Sequence, residues 1–364
     1  MAVTQANREI EITTPLGPDV LLLRDMYLTE ELGRLFTINL KLDSTEDIDF
    51  EALLGQNVTI RLDQPKGKRY FNGYVGSISQ TVDQGRYAVY EATVHPWLWF
   101  LTRTADCRIF QKKTVPDIIK QVFSELGFTD FKDRLCGSYR TWDYCVQYRE
   151  TDFNFVSRLM EQEGIYYYFT HEKDKHIFVF ADALGSHDII PDHSQILYYP
   201  PDQVAVRNEE FISDWYFSKR LQPGTYVLNE YNPLTPKADL KADSNIQPGH
   251  SRSDYEVYDY PGDYIVRGEG NTYARTRIEE LHAQYEQVQG QSNVVGLLCG
   301  GLFTLSNYPR ADQNRKYLVV SVSHSIQTER FEARDGTGQT VYTNSFNVIK
   351  SETQYRPERI TPKS

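Results

Sequence analysis

The chain has 364 residues, of which 40% are hydrophobic and 24% are charged, and its formal net charge at pH 7 is −11. At about 150 residues per domain this length predicts two or three domains. The composition excludes a disordered or collagen-like chain. Proteins that hold nucleic acid through its phosphates concentrate Lys and Arg, so the acidic balance predicts no nucleic-acid partner.

Targeting and redox signals are sparse. No apolar stretch approaches the roughly eighteen residues that a transmembrane helix requires, and residues 1–10 contain no apolar segment of the signal-peptide kind. We therefore expect a protein without a signal peptide that folds in a cytoplasm. In that reducing compartment the four cysteines, which show no CxxC spacing, are expected to be free and buried: Cys107, Cys136, Cys145 and Cys299.

The first hundred residues predict antiparallel β structure. Apolar and polar residues alternate over residues 36–42 and 58–62, which is the period that buries one face of a strand. Several short strands at this spacing favour a barrel or sandwich, and we assign residues 1–101 to a first β-barrel. One short helix is expected at residues 48–54.

Residues 102–202 predict a small α+β subdomain. Thr114 and Thr151 can each cap a helix with one apolar stripe, and each helix is followed by a glycine that ends it, Gly164 in the second case. The segment that follows, residues 165–180, predicts a β-hairpin.

The later strands resemble the early ones. Strands are expected over residues 203–231 and again from residue 294, and the segment Val320–Gln327 repeats the alternation of Val75–Gln80. We interpret this as an internal duplication, with a second β-barrel formed by residues 203–231 and 294–350.

An insertion is expected within the second barrel at residues 232–293. Residues 232–264 are rich in Asp, Pro, Gly and Ser and are interpreted as long loops, and the apolar spacing that follows predicts a helix over residues 272–288. Residues 351–364 carry prolines and are predicted to be a linker. The fold class is therefore β-rich α+β, with two related antiparallel β-barrels and inserted α/β subdomains.

Enzymatic motifs are scarce. No GxSxG, Walker or HExxH pattern occurs. Residues 186–188 place Ser, His and Asp side by side, whereas a catalytic triad is assembled in space, so we expect a polar loop. His171 and His176 do not have the spacing of a helical metal pair, and they are expected to be solvated turn residues. We expect no catalytic residue, no metal and no cofactor.

Two carboxylate pairs keep a glycan hydrolase open as an alternative. Glu161 with Glu163, and Glu209 with Glu210, could serve as the two carboxylates that glycosidases place across a sugar bond. The aromatic content, 26 Tyr and 18 Phe, keeps a carbohydrate-binding module open as well. Such pairs arise by chance among fifty acidic residues, and we predict that the protein is not an enzyme.

One stretch is far more specific than the rest. Residues 147–169, QYRETDFNFVSRLMEQEGIYYYF, resemble the signature of VgrG proteins, the spike proteins of type VI secretion systems, and more remotely the hub proteins of contractile phage tails. The segments Arg69–Val75, Arg108–Gln111, Tyr258–Asp263 and Asn344–Phe346 fit the same family. The signature residues, expected to be structural, are Gln147, Tyr148, Arg149, Glu150, Asp152, Phe153, Gly164, Tyr166, Phe169, Phe71, Gly73, Pro261 and Gly262.

The resemblance implies an assembly protein. Its expected form is a homotrimer whose paired barrels make a pseudo-sixfold ring that seats on a hexameric tube ring. The expected partners also include a downstream spike domain and effector or adaptor proteins. Assembly would occur in the bacterial cytoplasm, followed by export into a target cell, with membrane contact only by puncture. The alternative setting is the baseplate hub of a contractile phage or phage-like tail. Because the family continues into an OB-fold and a β-helix needle, the resemblance further implies a chain trimmed after the hub.

Overall fold

The protein is a β-rich α+β molecule, as predicted. The structure is a computed structural model that describes residues 4–6, 8–64, 67–81, 85–200, 209–328 and 340–363. Its strands are β1 (Ile10–Thr13), β2 (Leu22–Glu31), β3 (Thr37–Ser44), β4 (Asn57–Gln64), β5 (Gly67–Gln80), β6 (Ala88–His95), β7 (Ala105–Lys113), β8 (Phe131–Arg134), β9 (Trp142–Thr151), β10 (Tyr166–Glu172), β11 (Lys175–Ala181), β12 (Gln195–Leu197), β13 (Ile212–Lys219), β14 (Thr225–Leu228), β15 (Ala242–Asn245), β16 (Glu256–Asp259), β17 (Glu286–Ser292), β18 (Leu302–Ser306), β19 (Lys316–Thr328) and β20 (Thr340–Lys350). The helices are α1 (Val115–Glu125), α2 (Asp152–Glu163) and α3 (Arg267–Ala283).

Two groups of six strands have the same order. The first group runs β1-β4-β5-β6-β3-β2, and the second runs β12-β18-β19-β20-β17-β13. The counterparts of β2, β3, β4, β5 and β6 are thus β13, β17, β18, β19 and β20, in the same chain order. Apart from the parallel β12–β18 pair, the ladders are antiparallel. The internal duplication predicted from sequence is confirmed in this topology. Residues 203–208, the predicted start of the second barrel, lie outside the described residues.

The irregularities of the two groups coincide as well. The β2–β3 ladder shifts between Leu23 and Asp25, and the β13–β17 ladder shifts between Ile212 and Asp214. Superposing the two shifts aligns the sequence LRDMYLTE of β2 with the sequence ISDWYFSK of β13. A β-bulge re-aims a strand by one residue, so a shared bulge means that the two strands bend at equivalent points.

The second pair of long strands agrees. The β5–β6 ladder shifts after Val75, and the β19–β20 ladder shifts after Val319. The shift aligns VGSISQ, from Val75, with VVSVSH, from Val319. The resemblance between early and late strands therefore extends to individual residues and is more than a common β alternation.

Each group is closed into a barrel at its ends. In the first, the Gln5 amide joins β1 to β2: its Oε1 accepts from the amides of Ile12 (3.1 Å) and Leu23 (3.0 Å). A side chain thus replaces backbone pairing where the strands diverge. In the second, Tyr198 and Ile212 form a parallel bridge between the end of β12 and β13.

The two barrels share one continuous sheet. Strand β2 of the first pairs with β19 of the second, from Asp25 opposite Gln327 to Glu31 opposite Ser321. The core of the first barrel continues under α1, α2 and the β10–β11 hairpin, whereas the second barrel has its own core. The α2 helix is therefore positioned by the first barrel.

The capped helices of the second region are confirmed. Thr114 accepts from Asp117 at the start of α1, Thr151 accepts from Asn154 at the start of α2, and the β10–β11 hairpin follows as predicted. The helix expected at residues 48–54 is wrong, because those residues form turns. There Asp49 accepts from the Glu51 amide, which favours a turn over a helix.

The insertion has more strand than predicted. Strands β15 and β16 flank β14 in a three-stranded sheet, so the prediction of loops over residues 232–264 is wrong in part. The predicted helix at residues 272–288 is shifted, since α3 spans Arg267–Ala283 and β17 begins at Glu286. Side-chain burial alternates along β17, as in a strand, and the strand pairs with β13 on one side and with β20 on the other. This tertiary pairing overrides the local helical spacing of the apolar residues.

The cysteines are free, as expected, but only two are buried. Cys145 and Cys299 are buried, whereas Cys107 and Cys136 are exposed, so the prediction of burial is wrong for the latter two. Cys107 lies on the outer face of the β7–β9 ribbon, whose other face packs on the first core. In the part of the chain that the structure describes, no helix combines the length and apolar character needed to span a membrane.

Candidate functional site

The Gln147 side chain ties the end of β9 to the start of α2. Its Oε1 accepts from Arg108 Nε (2.9 Å), and its Nε2 donates to Asp152 Oδ1 (2.9 Å) and to the Glu150 carbonyl (3.1 Å). Asp152 lies in the first turn of α2, where the helix dipole favours a negative charge. Because Gln147 is fully buried, the amide must find all of its partners inside the protein, and here it does.

An ion pair also holds α2 against β9. Glu150 is buried and receives Arg158 in a bidentate pair, with Nε at 2.9 Å from Oε2 and Nη2 at 2.6 Å from Oε1. Phe153 is partly buried against the first core. Tyr148 and Arg149 are exposed and take no part in this packing, and Arg149 has a φ of +50°. The structure therefore brings together only some of the signature residues.

Two features of the end of α2 require a glycine at position 164, the backbone conformation and the space around the residue. Its φ of +73° lies in the left-handed region, which glycine adopts without strain. A Cβ at this position would lie 2.5 Å from Cγ2 of Thr276 and 3.0 Å from Cδ of Arg356. The Gly164 carbonyl in turn accepts from Arg356 Nη1 (2.9 Å). A larger residue would displace both neighbours.

Residues 354–363, the strap, are anchored on the carboxylate of Glu161. Oε2 of Glu161 accepts from the amides of Ile360 (3.1 Å) and Thr361 (2.9 Å), and Oε1 accepts from the Thr361 hydroxyl (2.9 Å). Arg34 Nη1 lies 3.5 Å from the same Oε1 and supplies positive charge from the first barrel. Glu161 therefore joins α2, the barrel and the strap.

Other strap residues reach further elements. Arg356 Nε pairs with Glu279 on α3 (2.8 Å), and its Nη1 donates to the carbonyl of Asp182 at the end of β11 (2.8 Å). The Tyr355 hydroxyl donates to the Leu32 carbonyl after β2 (3.1 Å). The strap thus connects the first barrel, the hairpin and the insertion helix. We refer to this assembly of α2, β10, α3 and the strap as the joint.

Tyr166 continues the joint into the second barrel. Its hydroxyl lies 2.7 Å from Nε2 of His187, and His187 Nδ1 lies 2.9 Å from the carbonyl oxygen of Gly300. The carbonyl requires a proton on Nδ1, so Nε2 accepts from the tyrosine. Burial lowers the pKa of His187 to about 4, which keeps the ring neutral. The Tyr166 ring also contacts Tyr355 of the strap, with centroids 4.9 Å apart.

The Ser-His-Asp run does not form a triad. The Ser186 hydroxyl donates to the Arg134 carbonyl (2.8 Å), and Asp188 pairs with the Arg134 guanidinium (2.9 Å). His187 is used by the joint instead. The expectation of a polar loop is wrong for Ser186 and His187, which are buried, because the loop is enclosed between the hairpin and the second barrel.

The prediction that the two hairpin histidines are solvated is wrong, because His176 is buried and the side chain of His171 is only 6% exposed. Nδ1 of His171 accepts from the Asn72 amide (3.1 Å), and His176 Nδ1 lies 2.9 Å from the Asn72 side-chain oxygen. Signature residues Phe71 and Phe169 pack on them, with ring centroids 6.0 Å from His171 and 5.8 Å from His176, respectively. The tip of the hairpin is thus inserted against β5, a tertiary contact that the local turn pattern did not indicate. Burial and the neighbouring His171 hold the pKa of His176 well below its usual value.

The remaining signature residues occupy crowded backbone positions. A Cβ on Gly73 would lie 2.6 Å from Cγ1 of Val94, because β5 and β6 approach closely there. Pro261 follows a cis peptide bond. A Cβ on Gly262 would lie 2.2 Å from the Tyr264 ring. These positions lie outside the joint.

Three of the four carboxylates in the two pairs, those of Glu161, Glu163 and Glu210, have structural partners. Glu163 accepts from the hydroxyl of Tyr273 (2.8 Å), and burial raises its pKa. Glu210 accepts from the Val295 amide (2.6 Å) and contacts His193 Nε2 at 2.6 Å. Over the described residues, no group of three or more His, Cys, Asp or Glu side chains is placed to hold a metal ion.

Sequence reasoning missed the central residues of the joint. Glu161 was considered only as one half of a carboxylate pair, and Arg356 lies in a segment interpreted as a linker. The available signal was the charged run around Pro357 in RPER, which is unusual for a spacer. The partners of these residues are distant in sequence, so no local periodicity could identify them.

Comparisons with known proteins agree with this architecture. A family model described as phage tail baseplate hub (GPD) matches residues 29–330. The chain is 47% identical over 364 residues to the type VI secretion system spike protein VgrG1c of Pseudomonas aeruginosa, covering 100% of this chain and 50% of that relative. The chain thus spans about half the length of the curated relatives it matches.

Solved structures show the same fold. The E. coli c3393 protein, described as a type VI secretion component similar to bacteriophage T4 tail proteins gp27 and gp5, aligns with a TM-score of 0.70 at 19% identity, over 97% of this chain and 80% of that one. A chain of the Francisella PdpA–VgrG complex aligns with a TM-score of 0.58 at 12% identity, over 94% and 50%.

The relatives named here are structural parts of spikes and tails, not enzymes. The match to the hub model covers most of the chain, and relatives that match its whole length are named VgrG. The chain therefore belongs to the phage tail baseplate hub (GPD) family, and along its whole length it is similar to type VI secretion spike proteins named VgrG.

Proposed function

We propose that this chain is the structural hub of a type VI secretion spike, a trimeric adaptor that couples a hexameric tube to a membrane-puncturing needle. The observation that carries the proposal is the duplicated barrel. Three copies of a chain with two equivalent barrels supply six similar units around one axis. A trimer of this kind would present a hexameric tube ring with near-equivalent contacts at each of its subunits.

The joint supports a mechanical role. A hub transmits force between the tube and the parts beyond it, so its own elements must not slide past one another. Glu161 and Arg356 connect the strap to three separate elements through partly buried, charge-assisted hydrogen bonds, which are stronger than neutral ones. We propose that the signature residues of the joint position the strap, and that in the longer relatives the load passes along the strap toward the spike domain.

The proposed life cycle is the one that the family resemblance implies. The hub would assemble in the bacterial cytoplasm and leave the cell with the tube, contacting membranes only by puncture. Downstream spike domains and effector or adaptor proteins are its proposed further partners. A contractile phage or phage-like tail is the second setting, favoured by the phage-derived hub model. The 47% identity to a secretion spike across the whole chain favours the first setting.

Native mass spectrometry of the chain mixed with hexameric rings of a tube protein from the same genome tests the proposal. The expected complex contains three chains and six tube subunits. Absence of a complex, or one chain per tube subunit, would overturn the symmetry-matching role. Where that genome carries both a secretion-system tube protein and a phage one, binding to the phage protein alone would support the second setting.

A further inference from the structure

A cavity of about 830 Å³ opens at the boundary between the two barrels. It lies between the start of β5 in the first barrel, the end of β10, and the segment that joins β17 to β18 in the second barrel. Its volume is within the range of small-molecule sites in proteins, about 300–1,000 Å³. The cavity is formed by a single copy of the chain, so a ligand can enter it without any association of copies.

One buried carboxylate lines this cavity. Glu30, near the end of β2, is 4% exposed and belongs to the lining. Its Oε1 accepts from Nε2 of His171 (3.3 Å). Its Oε2 lies 3.9 Å from Nε2 of His324, which is too far for a hydrogen bond. Among the residues that the structure describes, no donor bonds this second oxygen.

Both histidines beside Glu30 are neutral. Nδ1 of His171 accepts from the Asn72 amide (3.1 Å), so the ring proton is on Nε2 and faces Glu30. Nε2 of His324 lies 3.3 Å from Nη2 of Arg69, a group that can only donate, so this nitrogen accepts. Burial and the charge of Arg69 hold the pKa of His324 well below its usual value. Neither ring therefore carries a charge that balances the carboxylate.

The nearest basic side chain is engaged elsewhere. Arg69 donates to the Val295 carbonyl through Nη1, and its guanidinium lies over the Phe71 ring at 4.6 Å. Within the described part of the chain, no Lys or Arg side chain forms an ion pair with Glu30. A buried charge is costly unless it is paired, so this carboxylate favours a cation supplied from outside.

The rest of the lining is acidic and apolar. Including Glu30, its carboxylates are those of Glu30, Asp192, Glu209 and Glu210, against the cations Lys68 and Arg69 and the Glu210-bound His193. The apolar wall consists of Tyr70, Phe169, Ile196, Val294, Val295 and Leu298. Val295 is held at both backbone groups, because its amide donates to Glu210 (2.6 Å) and its carbonyl accepts from Arg69. The cavity thus combines a preformed apolar wall with an excess of negative charge.

We propose that this cavity binds an alkylammonium group, the chemistry of a lysine side chain or a free polyamine, with the ammonium against Oε2 of Glu30 and the alkyl chain along the apolar wall. An ammonium fits better than a guanidinium, because the guanidinium fork pairs with both oxygens of a carboxylate. Here His171 already holds Oε1. The site is a binding function beyond the hub role and does not depend on it.

Calorimetric titration of the full chain with n-pentylamine at neutral pH tests the site. Glu30→Gln is isosteric, and its side-chain oxygen can still accept from His171, so the chain should remain folded by circular dichroism. Its affinity for the amine should fall about 10- to 150-fold, which corresponds to the loss of a hydrogen bond to a charged group. Without ligand its thermal midpoint should rise, because an unpaired buried charge is removed. A lower midpoint overturns the proposal, since the charge would then be balanced inside the chain.

Glu31→Gln is the matched control. Glu31 is the next residue on β2 and is exposed on the opposite face of the strand, so this variant should bind the amine as the wild type does. Pentanol, an uncharged analogue of similar shape, should bind far more weakly than pentylamine. The proposal is overturned by an absence of amine binding, by equal affinities of the wild type and Glu30→Gln, or by equal affinities for the alcohol and the amine.

Two further probes distinguish the sources of the ammonium group. Cadaverine represents a free polyamine, and a three-residue lysine peptide with blocked ends represents a lysine of a partner protein. Tighter binding of the peptide supports the site with a partner's lysine as its occupant, and tighter binding of cadaverine supports it with a polyamine. Affinities that Glu30→Gln leaves unchanged for both probes contradict the site. A chain that binds the tube ring but no amine contradicts this site alone, and a chain that binds the amine but no ring contradicts the proposed function alone.

Discussion

Replacing Glu161 with Gln should release the strap without unfolding the barrels. The change is isosteric, but the amide can offer one acceptor oxygen where the carboxylate offers two. If that oxygen keeps the Ile360 and Thr361 amides, the new NH2 group faces Arg34, which is itself a donor. Loss of charge assistance on buried bonds of this kind costs about 1.5–3 kcal/mol.

The lost stabilisation should appear as more frequent local opening of the strap. Hydrogen exchange reports such openings residue by residue, and a change of this size corresponds to about 10- to 150-fold faster exchange of the strap amides. Exchange measured by mass spectrometry on peptides covering residues 355–363 is the assay. Amides of β3 and β6, in the barrel core, should keep their wild-type rates.

Glu163→Gln is the matched control. Glu163 is also buried on α2, but it bonds Tyr273 and Trp142 rather than the strap. In the Glu163→Gln variant, the hydrogen-exchange rates of the strap amides should equal those of the wild type. The reasoning is refuted if Glu161→Gln leaves strap exchange unchanged, or if both variants accelerate it equally.

The remaining predictions concern the core and its titration. The Tyr167 hydroxyl is buried without a hydrogen-bond partner among the described residues, so Tyr167→Phe should raise the free energy of unfolding by about 1 kcal/mol. Tyr166→Phe leaves His187 without its donor and should lower the free energy of unfolding by about 1–2 kcal/mol. Urea titration measures both values, and a stabilising Tyr166→Phe with a destabilising Tyr167→Phe would contradict these hydrogen-bond assignments. Changing Tyr166, Tyr167 and Tyr168 together to Ser should unfold the hub, and a soluble protein with native circular dichroism would exclude a core role for them. The pKa of His187 falls from 6.5 to about 4 on folding, so the neutral ring contributes about 3 kcal/mol to stability above pH 6.5, and this contribution is lost as the pH falls toward 4. His187→Gln should remove that part of the acid dependence of unfolding. An unchanged pH profile of the free energy of unfolding would refute this role of His187. Gln5→Leu leaves the backbone amides of Ile12 and Leu23 without acceptors and should lower the free energy of unfolding by about 2–6 kcal/mol. An unchanged thermal midpoint would show that Gln5 does not close the barrel.

Sequence patterns correctly predicted the features that depend on neighbouring residues. The helices after Thr114 and Thr151 follow from caps, apolar stripes and ending glycines, and these signals lie within a dozen residues. The duplication was also visible, because a repeated strand keeps its alternation. The strand order that proves the repeat requires pairings such as β2 with β19, which are nearly three hundred residues apart.

The joint was beyond sequence reasoning for a physical reason. Glu161 bonds residues about two hundred positions away, and a carboxylate has the same appearance in sequence whether it is solvated or buried. His176 was misjudged for the same reason, since a histidine beside a turn is usually solvated unless another element covers it. Gln5 closes a barrel from a terminal segment with no periodicity at all.

The measurement that tests the central claim most directly is solution mass by light scattering over a range of concentrations. The account predicts that the 42.3 kDa chain associates to a species of three times that mass and no larger. A limiting dimer, a mass that keeps rising with concentration, or a single chain at every concentration would contradict a ring closed by three copies.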